Sequence, residues 1–155
     1  MKVEIGTISH GTMLTQDLIP VFVTELKRLD PEFDSSPFDM EVTVYADEDE
    51  DEDEDEDDIE DYDSDELLSE LFDKLNEWAP PYCYFGAHPG DGSDYGFWPE
   101  EDFQQRAKED GVESFTDLAD IPDDYEGEYA IVVNDHGNTT LYKVRHEWDE
   151  VWSIV

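Results

Sequence analysis

Residues Asp47–Asp58 form an unbroken run of 12 acidic side chains, and this run restricts what the chain can fold into. Between Asp47 and Glu66, 17 of 20 residues are acidic. Burying carboxylates that have no partners is prohibitively costly, so these side chains cannot enter a core. Mutual repulsion also favours an extended chain. We therefore interpret residues 47–66 as an acidic, flexible insertion within a single domain that spans residues 1–155.

The acidity extends beyond this run. The chain has 155 residues, with 46 Asp and Glu against 8 Lys and Arg, which gives a formal net charge of −38. Without residues 47–66 the remainder still carries −21. Direct binding to nucleic acid or to an anionic membrane is not expected, because both depend on clusters of Lys and Arg. Aromatic residues make up 13% of the chain, which is enough apolar material for a folded core.

Two segments have the apolar spacing of amphipathic helices. Asp17 is predicted to cap a helix that runs to about Leu29, with Pro20 in its first turn. Ser64 is predicted to cap a second helix, whose apolar stripe continues to Trp78. Each helix would bury one face against a sheet.

Alternating and aromatic segments predict an antiparallel sheet of about five strands. Weaker patterns indicate a short strand over residues 3–8, a half-buried strand over Met40–Ala46, and a polar helix between Pro99 and Gly111. The sequence therefore predicts an α+β fold in which two amphipathic helices pack on this sheet and the acidic segment forms an inserted loop. The five main strands are expected at residues 82–85, 95–98, 129–133, 139–145 and 150–154.

Two glycine-rich segments carry side chains that could bind a divalent metal. His88, Asp91 and Asp94 lie in a loop predicted over residues 86–94, and Asp135 and His136 lie in a second turn. If the two turns met, they would supply imidazoles and carboxylates for a small metal-dependent enzyme. The same sequences are typical of tight turns, since Asp, Asn and Gly tolerate the backbone angles required. We expect no catalytic residue, no metal and no cofactor, and the metal enzyme remains the alternative.

The remaining local signals concern the compartment. Cys83 is the only cysteine, so no intrachain disulfide can form, and a small buried side chain is expected there. The first residues contain no apolar stretch of signal-peptide length, and no window approaches a transmembrane span. These features predict a cytoplasmic protein.

Two explanations account for the acidity. A nonspecific polyanion would act as a chaperone of basic proteins, which explains the run but not the acidic remainder. A DNA mimic would instead present carboxylates that occupy the nucleic-acid-binding groove of another protein, which is bound largely through charge. Mimicry explains both parts, so the sequence favours a non-enzymatic inhibitor.

The predicted contact residues of this mimic form two groups. The first is the run with the acids that follow it, and the second lies on the polar helix. The first group consists of Asp47, Glu48, Asp49, Glu50, Asp51, Glu52, Asp53, Glu54, Asp55, Glu56, Asp57, Asp58, Glu60, Asp61, Asp63, Asp65 and Glu66. The second consists of Glu100, Glu101, Asp102, Glu109 and Asp110.

Two motifs, FGAHPGDGSDYGFW (residues 85–98) and VNDHGNTTLY (residues 133–142), are similar to sequences of a known group of proteins. They resemble a family of uncharacterised small acidic proteins carried by bacteriophages and mobile elements, over roughly the C-terminal half. In composition the chain is also similar to DNA-mimic anti-restriction and anti-CRISPR inhibitors. The resemblance implies that the partner is a basic DNA-binding protein of a bacterial host, such as a defence nuclease or its complex. It implies no catalytic residue, and it leaves the target and a homodimer open.

Overall fold

The computed structural model describes residues 3–38, 64–144 and 148–155. These residues contain helices and strands in mixed order, which confirms the predicted α+β class. The helices are α1 (Thr15–Leu29), α2 (Ser64–Glu77) and α3 (Phe103–Glu109). The strands are β1 (Gly6–His10), β2 (Cys83–His88), β3 (Asp91–Pro99), β4 (Glu113–Phe115), β5 (Tyr129–Val133), β6 (Thr139–Val144) and β7 (Trp148–Ile154). The predicted strand Met40–Ala46 lies outside the described residues.

The strands form two sheets, so the prediction of one sheet of about five strands was wrong. The first sheet has the order β1-β3-β2 and the second has the order β4-β5-β6-β7. All pairings are antiparallel except that between β4 and β5. The short strand β4 was missed because three residues are too few to show an alternating pattern.

The first sheet and helices α1 and α2 share one apolar core. Phe22 of α1 is fully buried, and its ring meets Phe72 at 5.2 Å and Phe85 at 5.0 Å in edge-to-face contacts. Leu71 and Leu75 complete the buried stripe of α2. The amphipathic spacing is confirmed, but Trp78 lies beyond the end of α2 and is 36% exposed, so its assignment to the stripe was wrong.

Helix α1 begins at Thr15, two residues before the predicted cap. Asp17 lies in the first turn and accepts a hydrogen bond of 2.7 Å from the Thr12 hydroxyl, which itself accepts one from the Leu14 amide. Thr12 thus orders the chain ahead of the helix. As a result Pro20 lies beyond the first turn, inside the helix.

The second sheet has its own core, built around Trp152. This indole is 2% exposed, meets the ring of Phe103 at 5.3 Å, and donates a hydrogen bond of 3.0 Å to the carbonyl of Pro81. Ile5 packs against the cores of both sheets. These contacts join the described parts of the chain, while the single-domain organisation of residues 1–155 stays a prediction.

The segment predicted as a loop over residues 86–94 is mostly strand. Strands β2 and β3 continue to a two-residue connection at Pro89 and Gly90. Gly86 and Gly96 lie opposite each other, and the Trp98 indole donates to the Gly86 carbonyl at 3.0 Å. Gly86 was interpreted as part of the loop, but in the structure it lies in a strand against the Tyr84 ring, while Gly96 accommodates the close neighbouring strand β1.

Gly96 is predicted to be essential for the pairing of β1 with β3. A Cβ atom at this position would lie 1.9 Å from the Gly6 carbonyl oxygen, whereas one at Gly92 would meet nothing within 4 Å. We expect Gly96→Ala to lower the free energy of unfolding by about 2 kcal/mol or more, because two backbones must separate. Gly92→Ala, the matched control, should change it by less than about 0.5 kcal/mol in urea unfolding. Equal effects would contradict this account.

Candidate acidic interaction surfaces

Most of the first predicted contact group lies outside the described residues. Asp47–Asp58, Glu60, Asp61 and Asp63 lie outside the described residues, so their role stays a prediction. Asp65 and Glu66 are exposed in the first turn of α2. There a carboxylate interacts favourably with the positive end of the helix dipole. Asp65 also accepts a hydrogen bond of 3.1 Å from the Thr15 hydroxyl. Both acids therefore support the start of α2, and Asp65 also connects it to α1.

The second predicted contact group lies at the two ends of α3 and is partly neutralised there. Arg106 bonds to Glu100 and lies in the same short helix as Lys108. Asp110 accepts a hydrogen bond of 3.0 Å from the Tyr82 hydroxyl, and Glu109 accepts one of 3.0 Å from Gln105. Three of the five acids therefore already have partners within the fold. Tyr82 reflects this environment, since burial and then Asp110 raise its pKa to about 12.

The structure shows a further acidic surface, which we call the 113–128 surface. It follows α3, and no Lys or Arg occurs between residues 109 and 142. The sequence interpretation missed it because its acids are spaced one to four residues apart among apolar residues, without forming a long run. Its exposed carboxylates are Glu113, Asp117, Asp120, Asp123, Asp124, Glu126 and Glu128.

Apolar side chains between these acids fix the backbone of the 113–128 surface. Phe115, Leu118, Ile121 and Tyr125 pack against residues of β5 and β6. The rings of Phe115 and Tyr125 meet edge-to-face at 5.6 Å, and the Tyr125 hydroxyl donates to the Tyr129 carbonyl at 2.9 Å. The short strand β4 adds parallel pairing with β5. The carboxylates therefore project from an ordered support.

Two of the carboxylates on this surface are themselves held in place. Asp117 accepts a hydrogen bond of 2.9 Å from the Ala119 amide and caps a 3-10 turn over Leu118–Asp120. Asp120 accepts one of 2.7 Å from the Thr116 hydroxyl. At the far end, Lys143 lies 3.1 Å from Glu128. The negative charge is therefore least compensated between Glu113 and Glu126.

The candidate metal ligands of the first turn hold the fold: His88 and Asp91 shape the turn, and Asp94 bonds to the neighbouring strand β1. The His88 ring packs against Trp98 at 4.6 Å, and its Nδ1 accepts a hydrogen bond from the Gly90 amide. Asp91 accepts bonds from the amide and hydroxyl of Ser93, which lower the pKa of its carboxyl group. Asp94 accepts a bond of 3.2 Å from the Thr7 hydroxyl.

Asp135 and His136 lie in the hairpin turn of the other sheet, between β5 and β6. The Asn134 side chain accepts hydrogen bonds of 3.0 Å from the amides of His136 and Asn138, which closes that turn. Across residues 3–38, 64–144 and 148–155, no three His, Cys, Asp or Glu side chains form a group that could hold a metal ion. In these residues the geometry provides no support for the metal-enzyme alternative.

Cys83 is buried, as expected for a small core side chain. Its burial raises the pKa of the thiol to about 12, because the thiolate would lose its hydration. A thiol with this pKa is poorly suited to nucleophilic chemistry.

No protein-family model, curated protein or solved structure matches the chain. The resemblance to small acidic phage proteins therefore stays a prediction. Among the helices that the structure describes, none is both long enough and apolar enough to cross a membrane.

Proposed function

We propose that the chain is a DNA-mimicking inhibitor that occupies the basic nucleic-acid-binding groove of a host defence or DNA-processing protein, of the restriction or CRISPR type. The observation that carries this proposal is the charge of the folded part. The described residues hold 28 acidic and six basic side chains. Proteins bind DNA largely through Lys and Arg contacts to phosphates, so a folded polyanion competes for those contacts. The inhibitor would need neither catalysis nor a cofactor, and it would act in the bacterial cytoplasm.

The 113–128 surface supports a specific mimic over a nonspecific polyanionic chaperone. A partner that binds carboxylates on a fixed backbone does not have to order that backbone, so less entropy is lost on binding. A chaperone of basic proteins has no need for such order. We therefore assign the fixed contacts to this surface, together with the acids at the ends of α3.

The acidic run would then act mainly on the encounter. A long stretch of like charge attracts a basic cleft over distance and raises the association rate, more than it lengthens the life of the complex. The run would thus control the association rate, and the 113–128 surface would control the lifetime of the complex.

The proposal is tested first by a pull-down from bacterial lysate with the tagged full chain, eluted along a salt gradient. We expect one or a few DNA-binding enzymes that leave only at high salt and are displaced by added duplex DNA. Competition should occur because enzyme and DNA use the same cationic groups. Release of many basic proteins together at low salt, unaffected by duplex DNA, would favour the polyanionic chaperone.

Neutralising part of the 113–128 surface should weaken binding to the recovered enzyme. The triple variant Asp123→Asn, Asp124→Asn, Glu126→Gln changes exposed carboxylates that have no structural hydrogen bond in the described part of the chain. We expect its Kd to rise at least about tenfold, mostly through faster dissociation, because contacts in the complex are lost. Surface plasmon resonance with the immobilised enzyme measures both rates.

The matched control removes the same three charges elsewhere. Glu32→Gln, Asp73→Asn and Glu77→Gln lie at exposed positions outside both predicted contact groups and the 113–128 surface. The Kd of this control variant should rise by less than about threefold, since only the long-range attraction of the partner is weakened. Equal losses in the two triple variants would show that only total charge matters and would overturn the assignment to this surface.

Deleting residues 47–58 tests the role of the run. We expect the association rate to fall about tenfold at low salt, while the dissociation rate changes by less than about twofold. Stopped-flow fluorescence with the same enzyme gives both values. A dissociation rate that rises strongly would instead identify the run as the main contact surface.

A further inference from the structure

The outer edge of β1 differs from the other edge of the same sheet. β2 forms that other edge, and side chains bond to its backbone: the Phe85 amide donates to Asn76, and the Ala87 carbonyl accepts from the Tyr84 hydroxyl. β1 pairs with β3 on one side, and no strand among the described residues pairs with its other side. An open edge offers a row of backbone donors and acceptors to another chain.

A groove runs along this open edge, between β1 and helix α1. One cavity of about 500 Å³ is lined by Ile8 of the strand and by Pro20, Val21 and Thr24 of the helix. A second, of about 340 Å³, continues it toward Glu4 and shares its lining at Thr7, Ile8 and Glu25. The groove therefore combines open backbone groups with a partly apolar wall, the two features that strand addition uses.

The charge around the groove favours a positively charged partner segment. Glu25 forms an ion pair with Arg28, and Glu4 lines the second cavity together with them. The hydrogen bond to Glu25, and then the charge of Glu4, raise the pKa of the Arg28 guanidinium. Two carboxylates therefore face one cation there, within a folded part that holds 28 acids and six bases. A second copy of the chain would bring another net charge of −38 to the same place. An extended segment that carries Lys or Arg is favoured instead.

We propose that the open edge of β1 and its groove bind an extended, Lys- or Arg-containing segment of the partner protein by strand addition. The proposal takes from the proposed function only the basic character of the partner. Backbone hydrogen bonds would provide affinity and direction, and alternate side chains would enter the groove beside Ile8 and Val21. The register of β1 is irregular between Thr7 and Ser9, which restricts the added strand to a short segment.

The test compares two fluorescent, acetylated heptapeptides with the full chain. In one, lysine alternates with valine; in the other, lysine alternates with glycine, so that the charges are equal. We expect the lysine–valine peptide to bind at least about tenfold more tightly in fluorescence anisotropy at moderate salt, because only its side chains favour a strand and fill the groove. Equal affinities would show attraction by charge alone and would overturn the proposal.

A second test blocks the groove with a bulky side chain and compares this variant with a matched control. Thr24→Tyr places a ring in the groove, while Gln16→Tyr places the same ring at another exposed position of α1 that does not line it. We expect Thr24→Tyr to weaken binding of the lysine–valine peptide at least about fivefold and Gln16→Tyr to leave it unchanged. Thermal unfolding of both variants checks that the fold is intact, and equal binding by the two would overturn the proposal.

The edge of β1 could instead be covered by another segment of the same chain or by a second copy, and hydrogen exchange distinguishes these cases from an open edge. Some amide hydrogens of Gly6–Ser9 point away from β3, and only these report on the outer edge. If they are protected from exchange before peptide is added, the edge is already covered, which overturns the proposal. Sedimentation then separates a second copy, seen as a dimer, from coverage by the same chain. Neither peptide measurement involves a DNA-binding enzyme, so the strand-addition site can fail while the DNA-mimic proposal stands, and the reverse.

Discussion

Repulsion among carboxylates is the constraint on which the rest of this structure depends. The described residues hold 28 acids and six bases, and four of these bases lie in ion pairs with nearby acids: Arg28, Lys74, Arg106 and Lys143. Exposed pairs of this kind stabilise a fold by less than about 1 kcal/mol each. Burial of apolar surface must therefore offset the repulsion. The aromatic cores around Phe22 and Trp152 provide this burial.

The distribution of charge follows from the same constraint. In the 113–128 surface, Phe115, Ile121 and Tyr125 enter a core while the acids between them stay in water. Each carboxylate is thereby attached to a backbone that burial and hydrogen bonds hold in place. A run such as Asp47–Asp58 contains no apolar residue that could do this. In the proposed complex, the run would therefore serve the encounter and the 113–128 surface would provide the fixed contacts.

The sequence predicted what depends on local periodicity and missed what depends on distant partners. The stripes of α1 and α2 and the hairpin strands β5 and β6 were predictable, because each is defined by residues close together in the chain. Gly96 was predicted within the strand 95–98, but nothing local shows that the Gly6 carbonyl approaches it from another strand. The division into two sheets was hidden for the same reason. So was the 113–128 surface, whose backbone is held by packing against β5 and β6.

In the proposed complex, charge and the open strand edge would contribute different kinds of selectivity. Electrostatic attraction acts over about 10 Å at moderate salt and tolerates many arrangements of Lys and Arg, so it selects a class of basic groove. Backbone pairing along β1 would act only at contact and would require one direction and a free segment, so it would distinguish members of that class. A protein with −38 would attract many basic surfaces, and the lifetime of a wrong complex must be short. A directional contact beside the groove of α1 would prolong only those encounters in which the partner also supplies a strand.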